Sequence, residues 1–75
     1  MMEELDATGL LCPLPVLKAR KRLQSMPAGA RLRMRADDPA AVIDVPHFCT
    51  QTGHTLIESS SDASGVQIYV LEKSG

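Results

Sequence analysis

Residues 5–15 read Leu5-Asp6-Ala7-Thr8-Gly9-Leu10-Leu11-Cys12-Pro13-Leu14-Pro15. They pass from a strand through a glycine turn into the start of a helix. Glu3 to Ala7 predicts a short first strand with Leu5 and Ala7 on one side, and Thr8-Gly9 predicts the turn. The helix is expected from Pro13 to about Ser25. With Cys12 as its N-cap, Pro13, Leu14 and Pro15 take the first three helical positions. Backbone N–H groups lack intrahelical partners there, so proline is tolerated. An N-cap side chain takes its hydrogen bond from the second or third position, and Pro15 has no N–H to give. The Leu14 N–H is therefore the expected donor to the Cys12 sulfur. The helix dipole acts in the same direction. Both favour a thiolate, because helix N-termini bring thiol pKa values down from ~8.5 toward ~7 or lower. The prolines stiffen the loop, so Cys12 is expected to stand in solvent as an accessible nucleophile.

The elements downstream follow from their periodicity. At ~100° per residue, Val16, Ala19, Leu23 and Met26 share one face of the first helix, and Lys18, Lys21 and Arg22 share the opposite one. Leu14 and Leu17 lie beside the basic face, and Pro27-Ala28-Gly29 ends the helix. Arg31 to Ala36 alternates strictly, with Arg31, Arg33 and Arg35 on one side and Leu32, Met34 and Ala36 on the other. That is the pattern of a half-buried strand. Asp38 is a good N-cap with Pro39 behind it, so a second helix is expected from Pro39 to about Thr52, kinked or restarted at Pro46 and closed by Gly53. Thr55–Ser59 and Val66–Glu72 predict two strands joined by the turn-rich Ser61–Gly65. The order βαβαββ predicts an α+β two-layer sandwich: a mixed four-stranded sheet with both helices on one face.

The chain has 75 residues and a formal charge of −1, and residues 1–75 read as one domain without repeats or linkers. The charge is unevenly spread. Residues 1–35 carry seven Lys/Arg against three Asp/Glu, and residues 36–75 carry one Lys against six. Such asymmetry hints at a partner-facing basic surface. A domain this small buries only ~60% of its unfolded surface, which leaves no room for an enclosed cofactor pocket. Phe48 and Tyr69 are the only aromatics, so stacking platforms for single-stranded nucleic acid are nearly absent. No apolar run reaches the ~20 residues of a membrane span. No basic n-region with an h-region precedes the domain, so a cytoplasmic protein is expected. Cys12 and Cys49, 37 positions apart, form neither a disulfide framework nor a paired zinc spacing. No metal and no cofactor is called for.

The pattern Leu-Asp-x-x-Gly-Leu-x-Cys-Pro-x-Pro, carried by Leu5, Asp6, Gly9, Leu10, Cys12, Pro13 and Pro15, resembles the TusA/SirA-like family of small sulfur carriers. Two further blocks resemble it as well: Ala36-Asp37-Asp38-Pro39-Ala40 through Asp44-Val45-Pro46-His47-Phe48-Cys49, and Gly53-His54-Thr55-Leu56. The resemblance spans essentially the whole chain. It implies the same βαβαββ sandwich and a persulfide on Cys12, with Asp6, Gly9, Pro13, Leu14 and Pro15 as motif residues around it. The implied activity is sulfur transfer from a protein donor, such as a cysteine desulfurase or rhodanese-like domain, to a protein acceptor. Thiolation of transfer RNA is one such pathway. Its carrier typically has an acidic residue between the two prolines, where this chain has Leu14.

Other residues have simpler readings. Cys49 fits a buried structural thiol on the second helix. His47 and His54 lack partners at ligand spacing, and Asp37 and Asp38 could pair for acid–base work, but capping explains Asp38 without that chemistry. Asp6 is expected to steady the loop that presents Cys12. The arginine row reads first as a solvated sheet face, then as a docking surface, and last as an RNA-binding face; an acidic pI of about 6.0 opposes that last reading. Leu17, Lys18, Lys21 and Arg22, on the same helix as Cys12, form the expected docking surface for a partner protein. Neither nucleic acid nor membrane is expected as a direct partner, and a monomer is expected. A regulatory module with a redox-sensing Cys12 is the alternative.

Overall fold

The computed structural model describes residues 2–75. The elements are β1 (Met2–Asp6), α1 (Leu14–Gln24), β2 (Arg31–Ala36), α2 (Ala41–Thr52), β3 (Thr55–Ser61) and β4 (Gln67–Glu72). The four strands form one sheet in the order β1-β2-β4-β3. β1 and β2 run parallel, and β4 is antiparallel to both β2 and β3. This is the expected mixed sheet of an α+β fold.

The strict alternation of β2 decides which side is covered. Leu32, Met34 and Ala36 are fully buried and join Ala19 and Leu23 of α1, Val45, Phe48 and Cys49 of α2, and Tyr69 and Leu71 of β4 in one core. Both helices therefore lie on that face. The other face stays open, and its charges are paired across strands. Arg31 meets Glu72 at 3.3 Å, Arg33 meets Glu4 at 3.9 Å, and Arg35 meets Asp6 at 3.9 Å. The parallel register sets Glu4 opposite Arg33 and Asp6 opposite Arg35. The arginine row is thus a solvated face whose cations already have partners.

The helices differ from expectation at their starts. α1 begins at Leu14, with Pro13 as its N-cap and Pro15 at the second position, one residue later than the spacing predicts. α2 begins at Ala41 rather than Pro39, and Ala40 is its N-cap without a side-chain bond. Asp38 instead serves the chain just ahead of the helix: its Oδ1 accepts from the Ala40 N–H at 3.3 Å and its carbonyl from the Ala41 N–H at 3.0 Å. The helix runs through Pro46 without restarting. The bond this proline forgoes is to the carbonyl of Val42, an exposed residue. Gly53 closes α2 in the left-handed region at φ 81°, its N–H on the Cys49 carbonyl at 2.9 Å. A β-carbon is disfavoured there, so glycine suits the position.

His54 follows immediately and ties down the end of the chain. Its Nδ1 accepts from the Ser74 N–H at 3.0 Å, and its ring lies 5.8 Å from that of Phe48. Burial, and then the charge of Lys73, hold its pKa below the ordinary histidine value. Below about pH 6.5 the unfolded chain takes up a proton that the folded chain refuses. The stability contributed by neutral His54 is full above that pH and is lost as pH falls through the folded value. Urea titrations from neutral to mildly acidic pH should show wild type losing more stability than His54→Asn. Equal losses would refute this.

Candidate functional site

The parallel pairing of β1 and β2 builds the site. The two strands end level, with the Ala7 N–H on the Arg35 carbonyl at 2.8 Å, so the loops that follow leave the sheet side by side. The first loop makes two turns. Asp6 closes the first by accepting from the Thr8 N–H at 3.0 Å and the Thr8 hydroxyl at 2.6 Å. These bonds, with Arg35 nearby, hold its carboxyl below the usual range. Gly9 sits in this turn at φ 80°. The second turn runs from Leu11 to Leu14, with the Leu14 N–H on the Leu11 carbonyl at 2.9 Å; its Cys12–Pro13 peptide is cis. Pro15 is fully buried and seats the helix on the core.

The Asp37-Asp38 pair of the second loop grips both turns of the first. Asp37 Oδ1 accepts from the Gly9 N–H at 3.0 Å, and Asp38 Oδ2 accepts from the Cys12 N–H at 2.6 Å. Asp38 is only 9% exposed and is held from beneath. Its carbonyl accepts from Gln67 Nε2 at 3.0 Å, and Gln67 Oε1 accepts from the Tyr69 hydroxyl at 2.6 Å. A buried polar chain thus runs from β4 to the backbone of Cys12. Capping alone misses this role. The signal lies in topology, since neighbouring parallel strands deliver consecutive loops to the same end of the sheet.

Cys12 is exposed, as expected, but its surroundings correct the thiolate reading. The Leu14 N–H is spent on Leu11 and does not reach the sulfur. The thiol instead donates to Asp44 Oδ2 at 2.9 Å. That hydrogen bond, partial desolvation and the negative charges of Asp44 and Asp38 push the Cys12 pKa up, opposite to the helix-end expectation. A carboxylate that accepts from the neutral form stabilises the neutral form. Cys49 is 4% exposed in the core, where burial also raises its pKa.

Cys12 stands at one end of an open groove of about 380 Å³ between the helices. Pro13, the N-cap of α1, and Val16, Leu17 and Arg20 of α1 line one side; Asp44, His47, Phe48 and Gln51 line it from α2. Each set recurs at helical spacing, so the groove follows from two facing stripes. Leu11, Leu14 and Ile43 are large, exposed and apolar; Leu11 adjoins Cys12 and Ile43 adjoins Asp44. Of the expected docking residues, only Leu17 lies in this groove. Lys18, Lys21 and Arg22 line a separate cleft with Leu5 and Ser25. Arg22 is also engaged, by Glu3 at 3.3 Å and by the Glu4 carbonyl at 3.0 Å. Arg20 and His47 are the groove residues that charge clustering alone passes over. Among the described residues, no cluster of three or more His, Cys, Asp or Glu is placed to hold a metal ion, and no helix is long and apolar enough to cross a membrane.

Comparison with known proteins agrees with the fold and the motif. A family model described as sulfurtransferase TusA matches residues 3–73. A sulfur carrier protein TusA from Allochromatium vinosum is 44% identical over 72 residues, spanning 96% of this chain and 93% of the relative. The crystal structure of a SirA-like protein from Desulfitobacterium hafniense superposes with a TM-score of 0.84 over all of both chains, at 24% identity.

Proposed function

Because the chain belongs to the sulfurtransferase TusA family, we propose that it carries sulfane sulfur as a persulfide on Cys12 between a donor and an acceptor protein. The observation that carries this reading is the exposed Cys12 thiol at the mouth of an interhelical groove. The Cys12 thiolate attacks the terminal sulfur of a donor persulfide, on a cysteine desulfurase or a rhodanese-like domain. A new S–S bond forms, the donor's own S–S bond breaks, and its electron pair leaves on the donor thiolate. An acceptor thiolate then repeats the exchange on Cys12–S–SH. Such exchange needs access and a thiolate at the moment of attack, and neither a metal nor a cofactor. Asp6, Gly9, Pro13 and Pro15 shape the presenting turns, and Leu14 widens the apolar surface beside the sulfur. The carrier works in the cytoplasm as a monomer, and thiolation of transfer RNA is one route it serves. The nucleic acid is then reached through the acceptor protein.

The test is incubation with a desulfurase and cysteine, followed by intact mass. A gain of one sulfur on Cys12 supports the carrier. A change only under oxidant supports a redox sensor instead. Buried Cys49 offers such a sensor no accessible second thiol.

The groove is the docking surface of this proposal, with an apolar centre and a cation at Arg20. A Leu17→Asn variant, which leaves the charge around Cys12 unchanged, should accept sulfur from the protein donor about ten-fold more slowly, the effect of losing one interface contact of ordinary strength. Its alkylation by iodoacetamide should match wild type. If both rates fall together, the variant has damaged the thiol rather than docking.

A further inference from the structure

We propose that Asp44 is a positioning residue of the sulfur site: its carboxylate holds the Cys12 proton in the unpartnered protein, and a cationic side chain of a docked partner, paired with that carboxylate, frees the sulfur to attack. The purpose of this device rests on the carrier reading, while its content rests on geometry. The thiol proton points at Asp44 Oδ2 across 2.9 Å. Removing it would set two anions in contact, at a range far shorter than the Debye length, where salt screens weakly. Asp38 contributes a further negative charge beside the Cys12 backbone N–H. The other charged or titratable groups along the groove are Arg20 from α1 and His47 from α2. Among the described residues neither forms an ion pair with Asp44. The neutralising cation therefore has to arrive from outside, and Asp44, half-buried at the groove wall, is open to it.

The loading step then balances. The Cys12 S–H bond breaks, its electron pair stays on sulfur, and the proton passes to water. The sulfur bonds to the donor's terminal sulfur as the donor thiolate departs. Sulfane sulfur changes hands without net oxidation or reduction. Between encounters the protein presents a thiol, which stray electrophiles and disulfides attack slowly.

The test is the pH profile of iodoacetamide alkylation at Cys12 in the full chain. Each unit by which a thiol pKa falls raises the thiolate fraction ~ten-fold and lowers its nucleophilicity ~three-fold. Asp44→Asn should therefore shift the profile to lower pH and raise the rate near neutral pH by about three-fold or more. Asp44→Glu, which keeps a carboxylate, should retain a high midpoint. His47→Lys, which adds an ammonium one helical turn from Asp44, should lower the midpoint with the carboxylate still present. An Asp44→Asn midpoint at or above that of wild type overturns the proposal. So does an Asp44→Glu midpoint as low as that of Asp44→Asn, because packing rather than charge would then be at work. A His47→Lys midpoint unchanged from wild type overturns the role given to the cation. Iodoacetamide needs no sulfur donor, so these outcomes are separable from failure of persulfide loading.

Discussion

A Cys12→Ser protein incubated with a cysteine desulfurase and cysteine will gain no sulfur, whereas wild type will gain one atom at Cys12. The expected loss is complete because a serine hydroxyl can neither reach a useful anionic state near neutral pH nor form the sulfur–sulfur bond that the carried state requires. Misfolding is not the cause to fear. Cys12 is exposed, and its partner Asp44 can accept as readily from a hydroxyl as from a thiol. Surface exchanges of this kind stay within ~0.5 kcal/mol. Thermal melts of the two proteins should therefore overlay while their intact masses differ. Sulfur on the Cys12→Ser protein, placed at Cys49 or elsewhere, would sink the assignment of the persulfide site.

Asp38→Ala is the variant expected to damage the fold most among the residues of the site. One carboxylate there accepts from the Cys12 N–H at 2.6 Å and from the Ala40 N–H at 3.3 Å. Hydrogen bonds to a charged acceptor contribute roughly 1.5–3 kcal/mol, and the longer bond should add less. A loss of about 2–3 kcal/mol is expected, against a total of only ~4–11 kcal/mol for a chain of this length. The melting temperature should fall by roughly 10–20 °C. Asp38→Asn keeps one side-chain oxygen and should fall by less. The backbone bonds of the Asp38 carbonyl to Ala41 and Gln67 survive in both. Sulfur loading should slow in Asp38→Ala even at temperatures where it is folded, since the Cys12 turn has lost its tether. Melting temperatures of Asp38→Ala and wild type within ~2 °C of one another would show that the carboxylate bonds carry little net stability.

The sequence speaks clearly where a pattern is local. β2 runs from Arg31 to Ala36 as its alternation predicts, because a strand covered on one face leaves a period-two signature that needs no knowledge of its neighbours. The left-handed closure at Gly53 is legible for the same reason. The start of α1 is off by one residue because two local bonds compete for the Leu14 N–H. Cap rules assign it to the Cys12 sulfur, and the turn assigns it to the Leu11 carbonyl. The chemical state of Cys12 is further out of reach. Its decisive neighbour, Asp44, lies 32 residues away and arrives only when α2 packs beside α1. Helix-end reasoning weighs a partial charge. Helix packing supplies a full one of opposite sign at contact distance, and the full charge wins. The charge split along the chain misleads in a similar way. It is real in the sequence, yet much of the positive half is answered locally, by Glu3, Glu4, Asp6 and Glu72.

That cross-strand pairing on the uncovered side of the sheet also bears on traffic. A relay protein meets one client, then another, and every collision in a wrong orientation delays it. Three arginines matched by three carboxylates leave little long-range field for a client to follow, and their hydration resists sheet-against-sheet stacking. The molecule has in effect a blank back. Under the proposed carrier function, docking would then fall to the helical side, where Cys12 stands beside its groove.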